Sequence, residues 1–380
     1  MAFGGSLMQR HVRATANMAF IATLGAADCA PKPAEQIAPS RTSPPRAYWL
    51  GFSAVPPRAD IKQAIRSIDM WTKRSDAAIM HIDPPWAQLL AGVAPEQDIL
   101  KDKQGLANYF RARGTRLLVI TVDPENGLAR ERESDVLIAA HRSITEPAVQ
   151  TLYRRYVAAV DRMLHPDFLG LAAEVNLIRL AAPRPVYDAV RTMSNDAAAE
   201  ARARHTSATL YVSTQVEVAA GRMGGGRVVP GVADDLRDFP FTEVLALSSY
   251  PYLGGFAEPE QIPLDYYAKL ARESGKRVLV VEGGWPSSSA SAVGMTVRSN
   301  DAMQARYLAR HFQIADAANA LALFQLEFAD VDLASLPGNI PGKNNPIMPL
   351  FTSIGLVTSD LVPKPALSVW DSAFARRRSR

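Results

Sequence analysis

The sequence predicts an α/β protein, a single (β/α)8 TIM barrel set behind an N-terminal leader and linker. Three observations carry this expectation. Eight short apolar runs alternate with amphipathic stretches from Ala47 onward. Several of the runs are apolar on both faces, as parallel strands covered on two sides are. No glycine-rich phosphate loop follows the first run: GFSAVPPRAD has neither G-x-G-x-x-G nor G-x-x-x-x-G-K spacing, so a nucleotide-binding open sheet gains no support. The 380 residues suffice for a barrel, which needs roughly 250.

The elements follow in order. The first run, YWLGFSAV (48–55), precedes the helical pattern IKQAIRSIDMW (61–71). AAIMHID (77–83) and RLLVITVD (116–123) are the second and third runs. The third leads into PAVQTLYRRYVAAVDRML (147–164), where Val149, Leu152, Tyr153, Tyr156, Val157, Val160 and Met163 recur at helical spacing. FLGLAAEVN (168–176) is followed by PVYDAVRTMSNDAAAEARA (185–203), and ATLYVSTQVE (208–217) by a short helix-compatible segment near 228–239. EVLALSSYPY (243–252), RVLVVEGG (277–284) and LALFQLEFAD (321–330) precede LDYYAKLARES (264–274), DAMQARYLARHFQIADAA (301–318) and PALSVWDSAFARR (365–377). Strand-then-helix alternation of this kind implies βαβ units on a parallel sheet.

The ends differ from the body. Residues 1–28 have a basic start, an apolar centre and small residues at the close, the layout of a secretory leader, with Gly25 and Ala27 flanking a cleavage point. The apolar part is too short to stay in a bilayer as a spanning helix. Cys29, the one cysteine, is either a point for a lipid tether to a membrane or a free thiol. Asp28 before it departs from the small residue usual at lipidation sites. Residues 29–46 read as a proline-rich linker, 47–375 as the domain, and 376–380 as a solvated basic tail. The net charge of +4 comes from the arginines of the two ends; without them the body is slightly acidic, which argues against a nucleic-acid partner. Export to the periplasm, cell envelope or medium, as a monomer, is the expectation.

In such a barrel the active site is built where strands end. Two glutamates interrupt strongly apolar runs there: Glu174 in LGLAAEVN and Glu282 in VLVVEGGWP. Burying an unpaired carboxylate costs several kcal/mol, so each is either paired or at an open site. Two carboxylates facing one another across a cleft are the requirement of glycoside hydrolysis. His81-x-Asp83 hints at a metal, but the other histidines form no strand-end set, and no metal or cofactor is expected.

With glutamates closing strands four and seven, the sequence resembles glycoside hydrolase clan A, whose members are retaining (β/α)8 enzymes. VEGGWPSSS resembles the nucleophile segment of the endo-β-1,3-glucanase and endo-β-1,4-galactanase families. LALSSYPYL (245–253) resembles the galactanase-type sixth strand, and GLVTSDLVPKPALSVW (355–370) the ending in which Lys-Pro-Ala opens the last helix. The likeness spans about residues 47–375. It implies a β-linked carbohydrate substrate, Glu282 as nucleophile, Glu174 as acid/base, and Tyr250 as a hydrogen-bond donor to the nucleophile. Trp285 and Trp86 are then sugar-stacking platforms or core lids. His81, Asp83, Asn176, Gln215, Gln325 and Glu327 are substrate contacts, Glu327 standing in for the tryptophan usual on strand eight. Glu217, beside Gln215, lines the cleft or sits on a solvent rim. Ala173 stands where the clan has asparagine. That difference admits a second expectation, a carbohydrate-binding barrel without turnover.

Overall fold

The computed structural model describes residues 44–126, 129–223, 231–338 and 343–379. Nine parallel strands form its main sheet: β1 (Trp49–Ser53), β2 (Ala77–Ile82), β3 (Leu117–Val122), β4 (Phe168–Gly170), β5 (Thr209–Tyr211), β6 (Ser213–Gln215), β7 (Leu245–Ser249), β8 (Val278–Gly283) and β9 (Ala322–Gln325). Their order is β5-β4-β3-β2-β1-β9-β8-β7-β6. The two ends of that order, β5 and β6, are one strand broken only at Val212. One half pairs with β4 and the other with β7, so the sheet closes on itself as a (β/α)8 barrel.

The helices outside it are α1 (Ile61–Trp71), α2 (Asp98–Ala112), α3 (Pro147–Leu164), α4 (Val175–Ala181), α5 (Arg184–Ala203), α6 (Val232–Asp238), α7 (Tyr266–Ser274), α8 (Asp301–Ala317) and α9 (Pro365–Phe374). Their starts are chemically marked. Asp60 accepts from the Lys62 and Gln63 amides at the head of α1, Asn300 accepts from the Met303 amide at α8, and proline opens α3 and α9. The α2 helix had no strong periodic signature in the sequence. The strands are shorter than the runs that predicted them, two of them most of all. The fourth stops at Gly170, not at residue 176, and the eighth at Gln325, not at 330.

The inside of the barrel is packed by Ile79, Val119, Tyr211, Leu279, Val281 and Phe324 among others, while a second, larger apolar layer lies between strands and helices. Large and small residues alternate across the axis. A Cβ on Gly170 would fall 2.6 Å from the Tyr211 ring, and one on Gly51 would fall 2.5 Å from both Phe324 and the Ala77 carbonyl oxygen. The carbonyl belongs to a paired strand and has no room to yield. Gly51→Ala is therefore expected to lower stability by about 1–3 kcal/mol, the range for overpacking a filled core. Urea unfolding with an unchanged slope checks it.

The basic end is not a solvated tail. Arg46, 3% exposed, pairs with Asp76 at 2.8 Å. The Arg46 amide donates to the Arg377 carbonyl, and Ser379 N–H donates back to Arg46. Arg376 pairs with Asp316, and the Arg378 guanidinium lies 3.6 Å over the Trp49 ring. Arginine is suited to this because its planar head stacks and pairs at once. The described residues between 44 and 379 thus extend the packed domain at both ends beyond the 47–375 read from composition. The leader, Cys29 and most of the linker lie outside the described residues, as do residues 224–230. Among the described residues no helix is long and apolar enough to cross a membrane.

Candidate active site

Glu282 reaches the mouth through a bulge. Leu279 and Val281 point into the barrel and Val280 points to the helices, so strict alternation would send the next side chain outward as well. The pairing of β8 with β7 slips between Val280 and Glu282: Val280 is opposite Leu247, and Glu282 is already opposite Ser248. One extra residue in the strand rotates Glu282 inward. Gly283 consequently faces out, where a Cβ would meet the His311 ring at 2.9 Å.

There, Tyr250 donates its hydroxyl to Glu282 Oε2 at 2.9 Å, and His81 Nδ1 lies 3.4 Å from Oε1. Burial pushes the His81 pKa down to about 4, so the imidazole is neutral near pH 7 and the contact is not an ion pair. Burial also raises Glu282 above the ordinary carboxylate range, while the Arg130 charge and the Tyr250 hydrogen bond pull it back.

Glu174 sits just past β4, at the residue that starts α4. Its backbone is left-handed, φ 49° and ψ 47°, a conformation that costs a non-glycine residue of order 1 kcal/mol or more. The Ser213 hydroxyl accepts from its amide at 2.9 Å and helps hold that turn. The turn ends the strand early and places a carboxylate where an extended chain would have continued. Only 8% of Glu174 is exposed. Burial pushes its pKa up to about 7, against the pull of Arg130, and the Glu282 charge pushes the same way. The two glutamates therefore feel one another.

Arg130 was not legible as a site residue. It stands on a two-stranded hairpin after β3, in the run ARERE (129–133), which reads as a solvated charged edge. Instead it is 6% exposed, donating Nε to Glu174 Oε2 at 3.1 Å and Nη1 to Asp123. Asp83 beyond it is pushed up to about 7 by burial and by Asp123, against Arg130 and Lys103. Glu125 is 1% exposed with both carboxyl oxygens lacking a hydrogen-bond partner, and burial raises it well above the usual range. The one guanidinium pulls against burial at Glu125, Glu174 and Glu282, and each of the three still stands above the ordinary carboxylate range. Among the described residues no three acidic, histidine or cysteine side chains are arranged to hold a metal.

Other expected contacts are placed elsewhere. Trp285 is 1% exposed, stacked on Tyr307 with its indole N–H donating to Ser299, and Trp86 is equally buried. Neither offers the open ring face that a sugar platform needs; both are core. Both amide groups of Asn176 are used on the Gln215 backbone. Gln215 caps a short turn and donates to Glu217, and Gln325 donates to the Ile354 carbonyl. These three amides lock loops together, a role that strand position alone does not distinguish from ligand contact. Glu327 is buried past the end of β9 with Oε2 unpartnered. Glu217 is neither cleft wall nor rim; it is wholly buried.

No family model and no curated protein matches the sequence. Solved structures do match. An exo-β-1,4-mannosidase from Opitutaceae bacterium strain TAV5 superimposes with a TM-score of 0.57 at 16% identity, over 91% of this chain and 62% of that one. The GH5_18 protein from Streptomyces cattleya, in complex with GlcNAc, gives 0.55 at 16% identity, over 87% and 80%. A β-glucuronidase from an uncultured Clostridium sp. gives 0.51 at 13% identity, over 86% and 50%. The chain thus spans only half of the glucuronidase and under two thirds of the mannosidase. At such identities the likeness is one of fold.

Proposed function

We propose that this chain is a retaining glycoside hydrolase of the clan A type, acting on a β-linked oligosaccharide or polysaccharide. One observation carries the reading: buried Glu174, just past β4, and half-buried Glu282, near the end of β8, stand at the mouth of a (β/α)8 barrel, close enough for the Glu282 charge to act on Glu174. The environments differ in the direction the chemistry needs. Glu282 receives a hydroxyl donor from Tyr250, which favours the anion. Glu174 is raised to about 7 by burial, with the Glu282 charge pushing the same way.

In the first step Glu282 attacks the anomeric carbon as the glycosidic C–O bond breaks, and Glu174 gives its proton to the departing oxygen. A covalent glycosyl–enzyme results. In the second, water attacks the same carbon, Glu174 takes the water proton, and the Glu282–carbon bond breaks, leaving both carboxyl groups as they began. Two inversions at one carbon give net retention. The leader supports export of the protein, with Cys29 as a tether point.

A second reading is favoured by one specific contact. The Arg130–Glu174 pair opposes protonation of the acid, and with Ala173 in place of asparagine it suits a barrel that binds sugar without cleaving it. The two separate in a single experiment: a panel of neutral aryl β-glycosides and β-glycans, with proton NMR of the first-formed product and thermal melts of the same samples. Release of the β-anomer supports hydrolysis with retention. Sugars that raise the melting temperature while nothing is cleaved support the binding protein.

A further inference from the structure

Glu217 is the most completely enclosed carboxylate near the site, at 0% exposure. It follows β6 directly, and its four hydrogen-bond donors come from three different parts of the barrel. Gln215 Nε2 donates to Oε2 at 2.7 Å and the Tyr250 backbone N–H donates to the same oxygen at 3.0 Å. The Ser249 hydroxyl donates to Oε1 at 3.0 Å, and the Tyr266 hydroxyl lies at 3.4 Å from it. Each oxygen faces two donors, and all four are neutral. Burying a carboxylate on neutral donors alone is costly, and the same shape filled by apolar atoms would serve packing equally well. The arrangement has a use only if the ends of β6, β7 and α7 must be held in one fixed relation.

What that relation fixes is Tyr250. Its amide is bound to Glu217, and its hydroxyl donates to Glu282 at 2.9 Å. The loop after it is fitted to the same carboxylate, since a Cβ on Gly254 would fall 2.8 Å from Glu217 Cγ. We infer that Glu217 is a positioning residue for the proposed reaction, acting through Tyr250 to hold the hydroxyl donor on the Glu282 carboxylate. This rests on the reading of Glu282 as nucleophile, and the hydrogen-bond chain itself does not. A preorganised donor costs no rearrangement as charge shifts at the carboxylate, which is where such a link acts on rate.

The experiment compares Glu217→Leu, Tyr250→Phe and the double variant with wild type. Leucine keeps much of the volume but accepts no hydrogen bond, so the Tyr250 anchor is lost, whereas glutamine could keep it by turning its carbonyl to Tyr250 and its NH2 to the two hydroxyls, which also accept. Each single variant is expected to lower kcat by about 10- to 100-fold, the loss of one hydrogen bond to a charged group. The double variant should lose no more than Tyr250→Phe alone, because the two act in series. In parallel, carbon-13 NMR of glutamate-carboxyl-labelled protein, with the Glu282 signal assigned by its disappearance in Glu282→Gln, should show Glu282 titrating at higher pH in both single variants.

Losses that multiply in the double variant, or a Glu282 titration unmoved by Glu217→Leu, overturn the inference and leave Glu217 a packing residue. If wild type cleaves no glycoside, the hydrolase reading fails, while the Glu282 titration still decides the positioning. If Glu217→Leu does not fold, Gly254→Ala, which presses on the Glu217 side chain without removing a donor, must shift the same signal upward; no shift overturns the inference.

Discussion

Glu282→Ala is expected to lower kcat on every substrate by roughly 10⁴-fold or more, the scale on which loss of a catalytic nucleophile is felt. The protein should meanwhile keep its fold. The bulge that aims the side chain is a property of the β8 backbone, and Leu279, Val280 and Val281 remain fully buried beneath it. Removing a carboxylate that burial disfavours also relieves a cost, so the melting temperature should hold or rise slightly. Azide supplied to this variant should restore part of the rate with an aryl β-glycoside. The small anion fits the space left by the carboxyl group, attacks the anomeric carbon directly, and yields the α-azide by a single inversion. Mass spectrometry and NMR of the product read both outcomes. Wild-type rates in Glu282→Ala, or no azide adduct together with intact hydrolysis, would remove Glu282 from the nucleophile role.

Glu174→Gln is expected to divide substrates by leaving group. With an alkyl or sugar leaving group the departing oxygen needs a proton, and the loss should be about 10²- to 10⁴-fold, the usual worth of positioned general acid catalysis. With a strongly acidic phenol the oxygen leaves unaided, and glycosyl–enzyme formation should fall far less. The pH profile gives an independent check. Glu174 is raised to about 7, so its protonated fraction declines as pH rises through that value, and wild-type kcat/KM should decline with it. In Glu174→Gln the alkaline limb should vanish, because the amide has no proton to lose. If both leaving groups suffer equally, or the limb persists, the residue belongs to the Arg130 pair and not to proton transfer.

The barrel was legible because its signal is repeated: eight apolar runs, most of them followed by a 3.6-residue pattern, between residues 48 and 374. The two glutamates were legible for a related reason, each being a charge at the end of a run that otherwise admits none. How they reach the mouth was not. Alternation from Leu279 and Val281 would have left Glu282 among the helices, and the bulge that corrects this is one residue of slip with no composition of its own. The left-handed turn at Glu174 is equally local, and nothing in LGLAAEVN announces it. Arg130 was hidden because ARERE has the look of a surface strand, and only the folded hairpin shows which arginine is turned inward. The tryptophans failed in the opposite direction: large rings near strand ends suit both a sugar and a core, and here Trp285 and Trp86 went to the core. Sequence patterns report periodicity well; they report single-residue changes of direction poorly.

The clasp between Arg46 and residues 377–379 also sets an orientation. It lies beside Asp76 and Trp49, before the first residues of β2 and β1, and therefore at the pole opposite the one where Glu174 and Glu282 emerge. Residue 44 enters and residue 379 exits at that same pole. A support, label or fusion partner joined at residue 44 or residue 379 would stand behind the barrel, leaving the face where Glu174 and Glu282 emerge turned away from whatever the domain is fastened to and open to a long polymer approaching from the other side.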